Sequence, residues 1–143
     1  MLILISFMVL AYAIMGKDIK PLLERVRRVD WRWEIEKLLE KMRPWALKAG
    51  RVAAKPLLQF FFVLSDESTS TADRLMIYAS IAYTVLPTDL LPRAVYKLLG
   101  ILDDGVAILY VYRKIKDNIT PEIEERVENT LNEWFGVEYS VVK

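Results

Sequence analysis

The sequence has 143 residues, which favours one domain, and 54% of them are hydrophobic. The mean hydropathy is +0.21, so the chain has ample apolar surface to bury and is not expected to be disordered. The absence of Cys and His excludes disulfides, thiol chemistry and the commonest general base and transition-metal ligand. The formal net charge is only +1, which argues against nucleic acid as a partner. We expect no cofactor and assign no catalytic residue.

The first segment, residues 1–16, is a hydrophobic N-terminal helix whose first 15 residues carry no charge. Fifteen helical residues are about 22 Å long, against about 30 Å for the hydrocarbon core of a bilayer. Basic residues follow it, so an anchored segment would leave the rest of the chain in the cytoplasm by the positive-inside rule. The alternative is a helix buried in the domain core or in a dimer interface.

The second segment, residues 17–43, is basic, and its apolar residues follow helical spacing from Ile19 to Val29. Asp30 is predicted to cap a new helix. Paired tryptophans beside arginines are typical of a membrane–water boundary, whereas packing of an amphipathic helix on the core is an equal alternative. The candidate interface residues are Trp31, Arg32, Trp33, Arg27 and Arg28.

The third segment, residues 44–136, contains several helices and is followed by a tail at 137–143. Pro44 is predicted to begin a helix, and Pro56 to kink or restart it. The run 57–64 is apolar nearly all round, which predicts burial in protein or lipid. Further helix starts are expected at the capping box 70–73 and at Thr120, where a proline follows the capping threonine. Gly136 is expected to end the last helix.

An apolar helical hairpin is predicted in the middle of this segment. Residues 75–86 form its first helix, Pro87 and Pro92 break that helix, and a second apolar helix runs over about 94–116. No segment alternates long enough to predict a sheet. The fold class is therefore all-α, a small helical bundle around an apolar hairpin with an N-terminal hydrophobic helix.

The turn of this hairpin resembles the signature of the YkvA-like family, a bacterial domain of unknown function that is often associated with membranes. The matching residues, which would form a structural turn, are Pro87, Asp89, Pro92, Gly100, Asp103 and Asp104. The resemblance extends over roughly residues 45–136. It implies a fold element at a bacterial cell membrane, with the bulk of the chain on the cytoplasmic side, but no established activity.

Two functions remain open. The first is a non-catalytic, membrane-associated interaction or scaffold module, with membrane lipid, a second copy of the chain or another protein as its partner. The alternative is a divalent-cation binding protein or metal-dependent hydrolase that uses the oxygen ligands of Asp89, Asp103 and Asp104. Arg93 stands where the family usually has an acid, which weakens this cation site and favours a purely structural role for the aspartates in the turn.

Overall fold

The computed structural model describes residues 2–26, 29–85 and 104–136. Over these ranges the chain is all-helical and contains no strand, so the all-α part of the predicted fold class is confirmed. A short 3-10 turn, Lys116–Asn118, links the last two helices. The helices are α1 (Leu2–Ile14), α2 (Lys20–Glu24), α3 (Trp31–Ala49), α4 (Arg51–Ser65), α5 (Thr71–Val85), α6 (Asp104–Ile115) and α7 (Pro121–Phe135).

Local sequence signals set the starts of three helices. In each case the side-chain oxygen of the capping residue accepts a hydrogen bond from a backbone N–H three residues further on, as an N-cap does. The pairs are Asp30 with Trp33, Ser70 with Asp73, and Thr120 with Ile123, each at 3.2 Å. The predicted starts of α3, α5 and α7 are therefore confirmed, as is the end of α7 at Gly136.

Pro44 and Pro56 do not break helices. Pro44 lies inside α3, so the prediction that it begins a helix was wrong, and the predicted segment boundary at 43/44 falls within this helix. Pro56 likewise lies inside α4. The break is at Gly50, which has a φ of 99° and whose N–H donates to the carbonyl of Ala46 at 2.8 Å. Both prolines are exposed, so the missing backbone hydrogen bonds lie on the solvent side, where water can replace them.

The N-terminal helix α1 lies in the core, mainly against α5. Phe7, Val9 and Ala11 are almost completely buried, and these residues point to more than one side of the helix. The helix has 13 residues and is therefore about 20 Å long. None of the described helices combines the length and the apolar character needed to cross a membrane. The transmembrane prediction for residues 1–15 is therefore not supported, and α1 adopts the core position that was its alternative.

Helix α4 occupies the centre of the fold and contacts α3, α5 and α7. Its apolar run is buried as predicted: Leu58, Val63 and Leu64 are completely inaccessible to solvent. Burying one such side chain stabilises the fold by about 1.5–3 kcal/mol relative to leaving it exposed. Helices α5 and α6 also pack against each other, but the predicted turn between them and the tail at 137–143 lie outside the described residues.

Candidate functional site

The predicted acidic turn lies almost entirely outside the described residues. This applies to Pro87, Asp89, Pro92, Gly100 and Asp103, whereas Asp104 is described only as the first backbone position of α6. A cation site formed by Asp89, Asp103 and Asp104 therefore stays a prediction. In the part of the chain that the structure describes, no group of three or more acidic side chains is placed to hold a metal ion.

Trp31, one of the candidate membrane-interface residues, packs inside the protein. It is half-buried, with its ring edge-on to Tyr78 at 6.5 Å between centroids, and the Arg74 guanidinium lies 5.7 Å from its ring. Arg74 also donates to the carbonyl of Asp66 at 2.9 Å. These contacts fix the start of α3 against α5, in agreement with the packing alternative. Arg27 and Arg28 lie outside the described residues.

The same contact between α3 and α5 contains two titratable groups. Burial raises the pKa of Glu34 above its usual value. Burial, with a smaller contribution from the charge of Glu34, raises the pKa of Tyr78 to about 12. Tyr78 therefore stays protonated at neutral pH and serves as a packing aromatic rather than as a base.

Trp33, by contrast, belongs to an exposed row on the outer face of α3. The row, here called the lysine stripe, consists of Trp33, Lys37, Lys41, Pro44 and Lys48. Its members are three or four residues apart, which places them on one face of the helix. From Trp33 to Lys48 the stripe is about 22 Å long. The opposite face carries the buried residues of α3, Leu38, Met42 and Ala46.

Trp33 is the aromatic end of the stripe. Its side chain is 53% exposed, and the Nζ atom of Lys37 lies 5.6 Å from its ring centroid. Arg32, the neighbouring candidate, is also exposed but lies to the side of the stripe. The structure thus separates the two predicted tryptophans: Trp31 faces the core and Trp33 faces solvent.

Two of the three lysines of the stripe form no ion pair within the described part of the chain. Lys37 pairs with Glu40 at 3.6 Å, but both side chains are more than half exposed, so the pair contributes little. Lys41 and Lys48 form no ion pair with any residue in the described ranges. From Lys41 to Ser65 inclusive, the sequence contains five Lys and Arg and no Asp or Glu.

Two further cations of this region have a different role. Arg51 donates to Asn132 Oδ1 at 2.8 Å and to the carbonyl of Gly136 at 3.3 Å, and lies 3.8 Å from Glu128. Lys55 also approaches Glu128, at 3.9 Å. These side chains join α4 to α7 and are therefore separate from the lysine stripe.

Sequence reasoning found Trp33 but missed Lys37, Lys41 and Lys48. The signal was present as lysines and a tryptophan at helical spacing. The prediction that Pro44 begins a helix divides these residues between two segments and so obscures the signal.

Within the residues that the structure describes, the fold and this surface define an all-helical protein with a buried apolar first helix and a row of exposed lysines on α3. Residues 73–110 match the sequence model of a family described as "Protein of unknown function (DUF1232)". The match includes all six residues of the predicted turn and confirms the YkvA-like resemblance over a narrower range than 45–136. No curated protein and no solved structure shows significant similarity to the chain.

Proposed function

We propose that the protein is a non-catalytic peripheral membrane module that binds an anionic bilayer surface through the lysine stripe of α3. The observation that carries this proposal is the alignment of Lys37, Lys41 and Lys48 with the exposed Trp33 on one solvent-facing side of a single helix. The cytoplasmic leaflet carries the anionic lipids. The proposed location is therefore the inner surface of a bacterial cell membrane, and lipid is the proposed partner.

The expected affinity follows from the charge and aromatic content of the stripe. A lysine close to an anionic membrane surface contributes about 1 kcal/mol, so the three lysines contribute about 3 kcal/mol together. Their flexible stems allow the ammonium groups to reach the phosphates without moving the helix. An exposed tryptophan adds a group that prefers the headgroup region. Binding of this strength is reversible and weakens as salt screens the surface charge.

Vesicle flotation tests the proposal. The wild-type protein is expected to float with phosphatidylcholine vesicles that contain phosphatidylglycerol, to bind pure phosphatidylcholine weakly, and to dissociate in high salt. The double variant Lys41→Gln/Lys48→Gln removes two surface lysines, which corresponds to about 2 kcal/mol or a roughly 30-fold weaker partition.

A matched control removes the same charge elsewhere. Lys114 and Lys116 are exposed at the end of α6 and in the turn that follows it, so Lys114→Gln/Lys116→Gln lowers the net charge equally without touching the stripe. This control is expected to bind like the wild type. Equal losses of vesicle binding for the two double variants would show that binding depends on net charge alone. This result would contradict the proposed surface. Failure of the wild type to float with anionic vesicles at low salt would contradict membrane binding itself.

A further inference from the structure

A small cavity lies between α3, α4 and α5, next to the lysine stripe. Its volume is about 150 Å³. Two of its lining residues, Ala53 and Pro56, are exposed, so the cavity opens to the surface along α4. Among the described residues it is lined by Trp45, Ala53, Pro56, Leu57, Phe60, Ser80 and Thr84.

The interior of the cavity favours an apolar occupant. Its two hydroxyl groups already donate within α5, from Ser80 to the carbonyl of Met76 at 3.1 Å and from Thr84 to the carbonyl of Ser80 at 2.9 Å. The remaining lining side chains are hydrocarbon or aromatic. Water in such a space finds few hydrogen-bond partners. An apolar cavity of about 150 Å³ can hold a molecule of about the size of benzene.

The surroundings of the cavity are cationic. Trp45 is four residues after Lys41 and three before Lys48, so helical geometry places this lining residue beside both lysines, neither of which forms an ion pair within the described residues. On α4, Val52 is 89% exposed and lies four residues before Pro56, which extends apolar surface outward from the opening. An apolar cavity beside Lys41 and Lys48 is complementary to a molecule with an anionic head and a hydrocarbon tail.

We propose that this cavity accepts a segment of an acyl chain from an anionic membrane lipid whose head group binds Lys41 and Lys48. The inference rests on the proposed function, because the lipid comes from the bilayer to which the stripe binds. A chain that leaves the bilayer for the cavity exchanges one apolar environment for another, so its entry changes the affinity for vesicles little. The position of the acyl chain, and not the affinity of the protein for vesicles, is therefore the property to measure.

Fluorescence quenching reports this position. A variant that keeps Trp45 and has phenylalanine at positions 31, 33 and 134 is mixed with saturating vesicles of phosphatidylglycerol brominated in its acyl chains. A matched variant keeps Trp134 instead, which borders a different groove of α3 together with Leu39 and Leu47. The bromines are expected to quench Trp45 strongly and Trp134 weakly.

A second pair of variants tests the cavity itself. In the Trp45 background, Ala53→Phe places a ring at the opening of the cavity, and Ala49→Phe places the same ring on an exposed position at the end of α3 that does not line it. Quenching is expected to fall at least severalfold for Ala53→Phe and to persist for Ala49→Phe, while flotation stays the same for both.

The two proposals fail in different ways. Normal flotation with equal quenching of Trp45 and Trp134, or quenching that Ala53→Phe does not reduce, overturns the acyl-chain site and leaves the membrane-binding surface intact. Absence of flotation with anionic vesicles overturns both. Preferential quenching of Trp45 that Ala53→Phe abolishes supports the site.

Discussion

Replacing Arg51 with methionine removes the side chain that links the first turn of α4 to the last turn of α7. Its guanidinium bonds to Asn132 and Gly136 and lies close to Glu128. Methionine keeps a similar apolar length, so the packing of the stem is retained and the polar contacts are lost. The expected result is a lower free energy of unfolding.

The magnitude follows from the geometry of these contacts. The 2.8 Å bond to Asn132 is partly buried and involves a charged donor, which is worth about 1.5–2 kcal/mol. The 3.3 Å bond to the Gly136 carbonyl is exposed and adds roughly 0.5 kcal/mol. The sum is about 2 kcal/mol. With an unfolding entropy of about 2.1 cal/mol/K per residue over 143 residues, it lowers Tm by about 7 °C.

Urea unfolding followed by circular dichroism at the helical band measures this loss. Lys55→Met is the matched control, because Lys55 is also near Glu128 but is 46% exposed and 3.9 Å away. An exposed pair of this kind is worth about 0.5 kcal/mol or less. Equal losses of unfolding free energy for Arg51→Met and Lys55→Met would refute the reasoning. They would show that proximity to Glu128 matters and that the bonds to Asn132 and Gly136 do not.

Two further outcomes follow from capping and from burial. Thr120→Ala removes the N-cap of α7 and is expected to lower the free energy of unfolding in urea by about 1 kcal/mol. Thr130→Ala is its control, because the Thr130 hydroxyl donates within the helix to the carbonyl of Arg126. An equal loss for Thr130→Ala would contradict the capping role. The pKa of Tyr78 is raised to about 12 in the folded protein, so its contribution to stability is complete below its unfolded pKa of about 10 and is lost as pH rises toward 12. Absorbance titration is expected to show one tyrosine that ionises late in the wild type and is missing in Tyr78→Phe; unchanged late ionisation in this variant would contradict the assignment.

Features decided by neighbouring residues were predictable from the sequence. Asp30, Ser70 and Thr120 act as caps because their oxygens lie within reach of N–H groups three residues away, and this depends on local geometry alone. The end of α7 at Gly136, where φ is 83°, is local in the same sense.

The wrong helix start at Pro44 and the wrong restart at Pro56 have a physical origin beyond local geometry. A proline inside a helix removes one backbone hydrogen bond, and the cost depends on whether water can reach the carbonyl left behind. Pro44 and Pro56 are both exposed, and this follows from how α3 and α4 pack in the folded protein. The sequence around them carries no such information, whereas Gly50 gave a local signal for the actual break.

The position of α1 depended on a contact distant in the chain. An uncharged apolar segment suits lipid and protein interior equally, so its own residues do not distinguish the two. The deciding partner is α5, which begins about 70 residues later. The six-residue turn was recognisable from its fixed prolines, glycine and acids, and the family match covers it, but its cation-binding role stays a prediction.

The pairing of α1 with α5 also constrains how the chain is made. Ribosomes add about 5–20 residues per second, so α1 waits roughly 4–14 s for α5 to be synthesised. During that interval this uncharged hydrophobic segment lacks its main packing partner. Such a segment is a target for chaperones or for the membrane surface, and a chain truncated before residue 71 would expose it permanently. A helix that is buried in the core of the finished protein is therefore an aggregation hazard during synthesis.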